Sequence, residues 1–158
     1  MTKMATAASS LQDASAAPPS AVARVSVAGA TGYAGQELLR LLARHPAVRV
    51  SDAMSSAATS TPRRVPALKR IWDGPITPLD VDRLAAGADI VCLALPEAAA
   101  AEVGTAVLQR GVRVIDLSGA FRLHDPGARA RWYPETHALP AGLAYGLDRK
   151  STRLNSSH

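Results

Sequence analysis

The hydrophobic pattern of the chain alternates between short apolar runs, typical of buried strands, and longer stretches with helical spacing. Four strand-like runs and two helical stretches follow one another at residues 22–28, 34–44, 48–54, 88–96, 97–110 and 112–117. The run at 88–96 is nearly continuous, as expected of a parallel strand covered on both faces. The order of elements predicts an α/β fold with a doubly wound parallel sheet, in which ligands bind at the carboxyl ends of the strands.

Prolines and glycines mark where these elements end. His45-Pro46 stops the first helix, because the residue before a proline disfavours helical backbone. Gly111 is expected to cap the second helix. Residues 55–78 contain four prolines, and we predict a loop there with at most short structured pieces.

Three glycines lie between the first strand and the first helix, at G-x-x-G-x-x-G spacing. Gly29 allows the sharp turn, Gly32 lets the backbone approach a phosphate closely, and Gly35 lets the helix pack on the strand. The first N–H groups of the helix and its positive dipole end would face the anion. The pattern predicts a dinucleotide pyrophosphate site, and a purely structural turn is the alternative. The expected cofactor-binding residues of this turn are Gly29, Thr31, Gly32, Tyr33, Ala34 and Gly35.

Three other loops follow strand ends and are expected to line the same crevice. Parallel strands bring their carboxyl ends to one edge of the sheet, so loops distant in sequence meet there. The predicted crevice residues of these loops are Ser55, Ser56, Leu95, Pro96, Ser118 and Gly119. For Leu95-Pro96, a mere strand terminator is the alternative.

The loop after the second strand is where a dinucleotide-binding fold selects its cofactor. An acid there would bind the ribose 2′-hydroxyl of NAD, but the nearest acid, Asp52, falls within the predicted strand. The hydroxyls of Ser55 and Ser56, with Arg63 or Arg64 close by, favour the 2′-phosphate of NADP. A solvated polar loop is the alternative.

Composition indicates a soluble protein. Its 158 residues are 47% hydrophobic, which suits a single folded domain, and no apolar run approaches the length of a membrane span. Of the formal charge of +5, Arg149, Lys150 and Arg153 contribute three, and without them 15 basic residues face 13 acidic ones. The other arginines are dispersed among acids, so neither a nucleic acid nor a membrane is expected as a partner.

The single cysteine, Cys92, limits both redox and metal chemistry. One cysteine excludes an intramolecular disulfide and a cysteine-based zinc site, and we expect a reducing, cytoplasmic compartment. Its place within an apolar strand predicts an inert, buried thiol with a raised pKa.

The two ends of the chain differ in composition from its centre. Residues 1–22 are rich in Ala, Ser, Thr and Pro and are predicted to be a flexible leader. Residues 23–147 form the predicted dinucleotide-binding domain, and residues 148–158 are a polar tail with no apolar pattern.

Six segments, in order, resemble the amino-terminal half of the N-acetyl-gamma-glutamyl-phosphate reductase family. The resemblance covers about residues 24 to 147, and the first and fourth segments are specific in combination. The segments are GATGYAGQEL at 29–38, LLARHP at 41–46, DIVCLALP at 89–96, VIDLSGAFRL at 114–123, WY at 132–133 and YGL at 145–147.

The resemblance implies a Rossmann-type domain of a homo-oligomeric, NADPH-dependent enzyme of arginine biosynthesis, related to aspartate-semialdehyde dehydrogenase. In that family a cysteine thiolate attacks an acyl phosphate, phosphate leaves, and the thioester accepts a hydride from the nicotinamide. Leu95-Pro96 would pass beside the cofactor. Arg122 would either hold the substrate phosphate through bidentate hydrogen bonds or form an ion pair with Asp116 or Asp125.

The chain departs from the family after Leu147. The family continues with Pro-Glu and, further on, places its cysteine in an Asn-Pro-Gly-Cys-Tyr-Pro segment, and this chain has neither. We therefore expect an interrupted reading frame near residue 147 or 148, a foreign tail and no catalytic residue in this chain, so that it binds NADP(H) without turnover.

Other readings remain open from the residues alone. A short-chain dehydrogenase needs a lysine four positions after its catalytic tyrosine, but His137 follows Tyr133 and Arg149 follows Tyr145 at that spacing. A non-catalytic nucleotide-binding module and a fragment of an aspartate-semialdehyde dehydrogenase-type enzyme are the remaining alternatives.

Overall fold

The computed structural model describes residues 22–55, 64, 66–134, 136, 139–144 and 146. Within these ranges five strands alternate with four α-helices, and a short 3-10 turn, Pro66–Leu68, precedes the third strand. The elements are β1 (Ala23–Ala28), α1 (Tyr33–Leu42), β2 (Val48–Ser55), β3 (Ile76–Pro78), α2 (Val81–Ala86), β4 (Ile90–Leu93), α3 (Glu97–Gln109), β5 (Arg113–Asp116) and α4 (Pro126–Trp132). The leader and tail predicted from composition lie outside the described residues, apart from Val22.

All strand pairings in the sheet are parallel, and the strand order is β3-β2-β1-β4-β5. The chain starts at the centre, winds outward through β2 and β3, and returns to the other side of β1 for β4 and β5. The predicted doubly wound parallel sheet is therefore confirmed. Its topological switch point lies between β1 and β4, where such sheets form their ligand crevice.

The core consists of two hydrophobic layers, one on each face of the sheet. Helix α1 covers one face, where Val27 and Cys92 lie, and α2 and α3 cover the other, where Val91 and Leu93 lie. Adjacent residues of β4 thus point into different layers, and the side chains of Val91, Cys92 and Leu93 are all buried. This confirms the prediction that the apolar run is a strand covered on both faces.

The helix caps follow local sequence rules. The N–H of Gly111 donates to the carbonyl of Leu108 at 2.9 Å and that of Val112 to Val107 at 3.4 Å, with φ of Gly111 at +76°. These two bonds form a Schellman motif, so the predicted glycine cap is confirmed. Helix α1 ends at Leu42, two residues before the predicted end.

Helices α2 and α4 were not predicted, whereas the short strand β3 fits the short structured pieces allowed for residues 55–78. β3 tolerates Pro78 because it is the outermost strand of the described sheet and has one neighbour. Helix α2 begins where the Asp80 carboxylate accepts from the N–H of Arg83. Helix α4 begins in the same way at Asp125, followed by Pro126.

Candidate nucleotide-binding site

The turn between β1 and α1 contains two glycines that the fold itself requires. Gly29 has φ of +87°, and a Cβ there would collide with the carbonyl oxygen of Ala94, just beyond β4. A Cβ on Gly35 would collide with the carbonyl oxygen of Gly29, because α1 packs directly on the turn. These contacts place the glycine turn against the β4 loop at the switch point.

Gly32 is different, because no packing contact explains the absence of its side chain. Its φ is −73°, and a Cβ there would meet only the carbonyl oxygen of Gly29, at an ordinary contact distance of 3.5 Å. Gly32 is exposed and is the N-cap of α1, and no side chain of the described residues caps this helix. Tyr33 and Ala34, the first residues of α1, are also exposed, and the first N–H groups of a helix have no intrahelical partner, which is the arrangement that a pyrophosphate fits.

The turn is fixed to the carboxyl end of β2. The N–H groups of Gly29 and Ala30 both donate to the carbonyl of Met54, at 2.8 and 2.9 Å. The hydroxyls of Thr31 and Ser55 share a hydrogen bond of 3.1 Å, and Ser55 is 4% exposed. The structure therefore brings together two predicted site residues that are 24 positions apart, with Ser55 oriented toward the turn.

Asp52 belongs to a different environment from the predicted crevice. Its carboxylate accepts two hydrogen bonds from the guanidinium of Arg83, at 2.7 and 3.0 Å, and its side chain is 14% exposed. It lies three residues before the end of β2, as the sequence indicated. Of the basic pair expected nearby, Arg64 lies 3.8 Å from Asp73, whereas Arg63 and the predicted site residue Ser56 are outside the described residues.

The loop after β4 consists of a buried leucine followed by an exposed proline. Leu95 is 5% exposed and packs in the core beneath α3, so it can meet a ligand only through its main chain. Pro96 is exposed and is the N-cap of α3.

The loop after β5 is a hydrogen-bonded turn. The Asp116 carboxylate accepts from both the N–H and the hydroxyl of Ser118, each at 2.9 Å, and the same hydroxyl accepts from the N–H of Ala120 at 3.0 Å. Gly119 is buried, and its backbone lies under the ring of Tyr133. Ser118 thus uses its side chain to shape the loop.

Arg122 forms neither of the ion pairs considered for it, within the part of the chain described. Its guanidinium donates to the carbonyl of Ser118 at 3.2 Å, while Asp116 binds Ser118 and Asp125 caps α4. The ion-pair alternative is therefore wrong for these residues. Arg122 is exposed and lines a cavity of about 640 Å³ with Phe121.

Tyr133 is the residue that the sequence patterns missed. It lines a second cavity, of about 370 Å³, with Pro96 and Glu97 at the start of α3 and with Thr136. The sequence offered Tyr133 only as part of the Trp-Tyr pair within the resemblance, without a role, and as a catalytic tyrosine that lacks the required lysine.

Cys92 is a buried thiol within β4. It is 4% exposed, and burial raises the pKa of the thiol to about 11. The predicted burial and raised pKa are confirmed, and the inertness of the thiol stays a prediction that these two properties favour.

The described residues contain neither a membrane-spanning helix nor a cluster of metal ligands. None of the described helices is long and apolar enough to cross a membrane. Across the same ranges, no group of three or more His, Cys, Asp and Glu side chains is arranged to hold a metal ion.

The sequence profile of the family described as "Semialdehyde dehydrogenase, NAD binding domain" matches residues 24–150. This match covers most of the chain, and the chain belongs to that family. It is a pyridine-nucleotide-binding domain of an oxidoreductase family, with the parallel sheet and glycine turn described above.

Its relatives include N-acetyl-gamma-glutamyl-phosphate reductases. The enzyme of Halorhodospira halophila is 43% identical over 128 residues, covering 78% of this chain and 37% of that protein. The enzyme of Pseudomonas aeruginosa is 42% identical over 130 residues, covering 78% and 38%. A Cenarchaeum symbiosum protein named as a LysW-L-2-aminoadipate/LysW-L-glutamate phosphate reductase is 39% identical over 123 residues, covering 77% and 35%. The chain thus spans just over a third of the length of these relatives.

Solved structures agree on the fold. Aspartate semialdehyde dehydrogenase of Candida albicans with NADP superposes with a TM-score of 0.54 at 19% identity, over 66% of this chain and 32% of that chain. Aspartate semialdehyde dehydrogenase II of Vibrio cholerae gives 0.50 at 20% identity, over 65% and 32%. At this level of identity the likeness concerns the fold alone.

Proposed function

We propose that this domain binds NADP(H) for an enzyme that reduces N-acetyl-gamma-glutamyl phosphate to N-acetylglutamate semialdehyde and phosphate in arginine biosynthesis. The main support is position 32, which is a glycine although packing does not require one, and which lies at the exposed start of α1. A pyrophosphate oxygen approaching the amides of Tyr33 and Ala34 would occupy the space that a side chain at residue 32 would fill. The cofactor would supply the hydride.

The preference for NADP rests on the carboxyl end of β2. Asp52, the only acid in β2, is engaged by Arg83 and lies short of the strand end. Ser55, which ends the strand, carries a hydroxyl in place of a carboxylate. A 2′-phosphate at this strand end would therefore meet no repelling acid from β2, and Ser56 is the residue proposed to bind it.

Arg122 is the residue proposed to hold the phosphate of the acyl phosphate. It is exposed at the 640 Å³ cavity and is engaged only by the Ser118 carbonyl among the described residues, so its planar guanidinium can form a bidentate pair with phosphate oxygens. The Cenarchaeum relative favours a second candidate substrate, since its name gives a phosphate derivative of another carboxylic acid as the compound reduced. Both candidates are acyl phosphates.

The nucleophile in this proposal is not Cys92, because its thiol is buried and its pKa is raised. This chain is proposed to bind cofactor without turnover. The whole enzyme is proposed to be cytoplasmic and homo-oligomeric, and a sole, buried thiol fits a reducing compartment.

Titration of the full chain with NADPH and with NADH, by isothermal calorimetry at one ionic strength, tests the cofactor. We expect NADPH to bind about tenfold more tightly, a difference of about 1.4 kcal/mol. Ser56→Ala should weaken NADPH binding alone, whereas Ser55→Ala should weaken both cofactors, because Ser55 is bonded to Thr31 in the glycine turn. Equal affinities for the two cofactors would contradict the assignment of NADP.

A further inference from the structure

Tyr133 lies directly on the backbone of the turn that follows β5. A Cβ built on Gly119 would be 2.5 Å from Cζ and 2.6 Å from the hydroxyl oxygen of Tyr133, so the phenol end of the ring covers this residue. No side chain fits at position 119 while the ring is in place. Tyr133 and the turn are thus in mutual contact, although they are 14 positions apart.

The turn under the ring carries Arg122. The N–H of Arg122 donates to the carbonyl of Gly119 at 3.1 Å, and its guanidinium donates to the carbonyl of Ser118 at 3.2 Å. Asp116 holds the other side of the turn through its two bonds to Ser118. The main chain and side chain of Arg122 therefore both depend on a segment held between Asp116 and Tyr133.

The backbone of Tyr133 is held by hydrogen bonds on both sides. Its N–H donates to the carbonyl of Arg129 at 2.7 Å, and its carbonyl accepts from the N–H of Thr136 at 3.0 Å. Its neighbour Trp132 differs, since it is 66% exposed and its ring is paired with Arg131 at 5.3 Å. Trp132 is therefore a matched control for the loss of an aromatic ring at the end of α4.

We propose that Tyr133 is a positioning residue, whose ring fixes the turn of residues 118–122 and thereby the direction in which Arg122 presents its guanidinium. Because the ring carbons lie as close to Gly119 as the hydroxyl oxygen does, phenylalanine at position 133 is expected to keep the contact. That Arg122 meets a phosphate rests on the proposed function, whereas the control of the turn by Tyr133 does not.

Amide hydrogen exchange of the full chain, measured by NMR, tests the positioning without any ligand. Tyr133→Ala should raise exchange at Ala120 and Arg122 by about tenfold or more, since the turn then opens locally, while β1 amides keep their protection. Tyr133→Phe should restore protection, and Trp132→Ala should leave the turn unchanged. Protection at Ala120 and Arg122 that survives Tyr133→Ala would overturn the proposal.

A second variant approaches the same contact from the other side. Gly119→Ala forces the ring away while leaving Tyr133 in the sequence, and it should raise exchange at the same two amides. Retained β1 protection shows that the fold is intact in either variant. If Gly119→Ala leaves the turn as protected as before, the contact does not control it and the proposal fails.

Titration with inorganic phosphate separates this proposal from the proposed function. We expect phosphate affinity to fall severalfold in Tyr133→Ala and to return in Tyr133→Phe, with NADPH affinity unchanged. If the unsubstituted chain and Arg122→Ala bind phosphate equally, the proposed role of Arg122 is wrong, and the exchange data still decide whether Tyr133 positions the turn.

Discussion

The turn after β1 and the turn after β5 lie at the same edge of the sheet but are held by different parts of the chain. After β1 the backbone holds the turn, since Gly29 and Ala30 donate to the carbonyl of Met54 and Gly29 has a positive φ. The α1 helix then packs on the turn at Gly35. Every one of these constraints is local or lies on the neighbouring strand.

After β5 side chains hold the turn. Asp116 and Ser118 bond its amides, and Tyr133 covers Gly119 from the end of α4. The difference separates two ways of building a site. A turn fixed by glycine geometry carries its own sequence signature, whereas a turn covered by a distant ring depends on tertiary contact.

Gly35→Ala should break the first turn with the largest effect. Alanine favours a helix over glycine by about 1 kcal/mol, yet the added methyl collides with the Gly29 carbonyl, so we expect a net loss of about 3 kcal/mol in the free energy of unfolding. Urea unfolding of the variant and of the unsubstituted chain measures this loss of stability. Gly127→Ala is the control, because a Cβ there meets only an Asp125 oxygen at 3.4 Å. An unchanged midpoint for Gly35→Ala would contradict the packing of α1 on the turn.

A smaller effect is expected at the opposite end of β1, where Arg24 meets Asp89. The hydrogen bond from the Arg24 guanidinium, 2.9 Å long, lowers the pKa of Asp89 to about 2 from its usual 3.8. A lowered folded-state pKa contributes stability above about pH 3.8 that is lost as the pH falls toward 2. Both groups are exposed, so the effect is small.

Acid unfolding of Asp89→Asn beside the unsubstituted chain measures this contribution. The variant should be less stable at pH 5 to 7, and the difference should shrink as the pH falls toward 2 and vanish below it. A difference that stays constant from pH 5 to well below pH 2 would assign the effect to packing at position 89. The glycine turn should keep its cofactor affinity in the variant, because Arg24 and Asp89 lie at the other end of the strands.

The same contrast explains which parts of the fold were predictable. The strands β1, β2, β4 and β5 and the helices α1 and α3 follow from apolar periodicity, since each buries a face that its own sequence displays. Helix α2 has six residues and depends on tertiary support, including the pair between Arg83 and Asp52. Strand β3 contains a proline and is a strand only because β2 lies beside it.

The residues of the candidate site also divide into those predictable from sequence and those that depend on tertiary contacts. The roles of Gly29 and Gly35 followed from spacing, because a strand, a tight turn and a helix leave little choice of residue. The contact between Tyr133 and Gly119 could not be predicted, since a helix of seven residues must first place the ring. The Asp-Pro start of α4 was a readable signal for that helix but not for the contact.

The most direct test of the pyrophosphate site is the NADPH affinity of Gly32→Ala. A methyl at this position leaves the fold unstrained, with φ at −73° and its nearest contact at 3.5 Å, but it occupies the space proposed for the phosphates. We predict an unfolding midpoint close to that of the unsubstituted chain and an NADPH affinity weakened by about tenfold or more, while Gly127→Ala binds normally. An unchanged affinity for Gly32→Ala would contradict the assignment of this turn as the cofactor site.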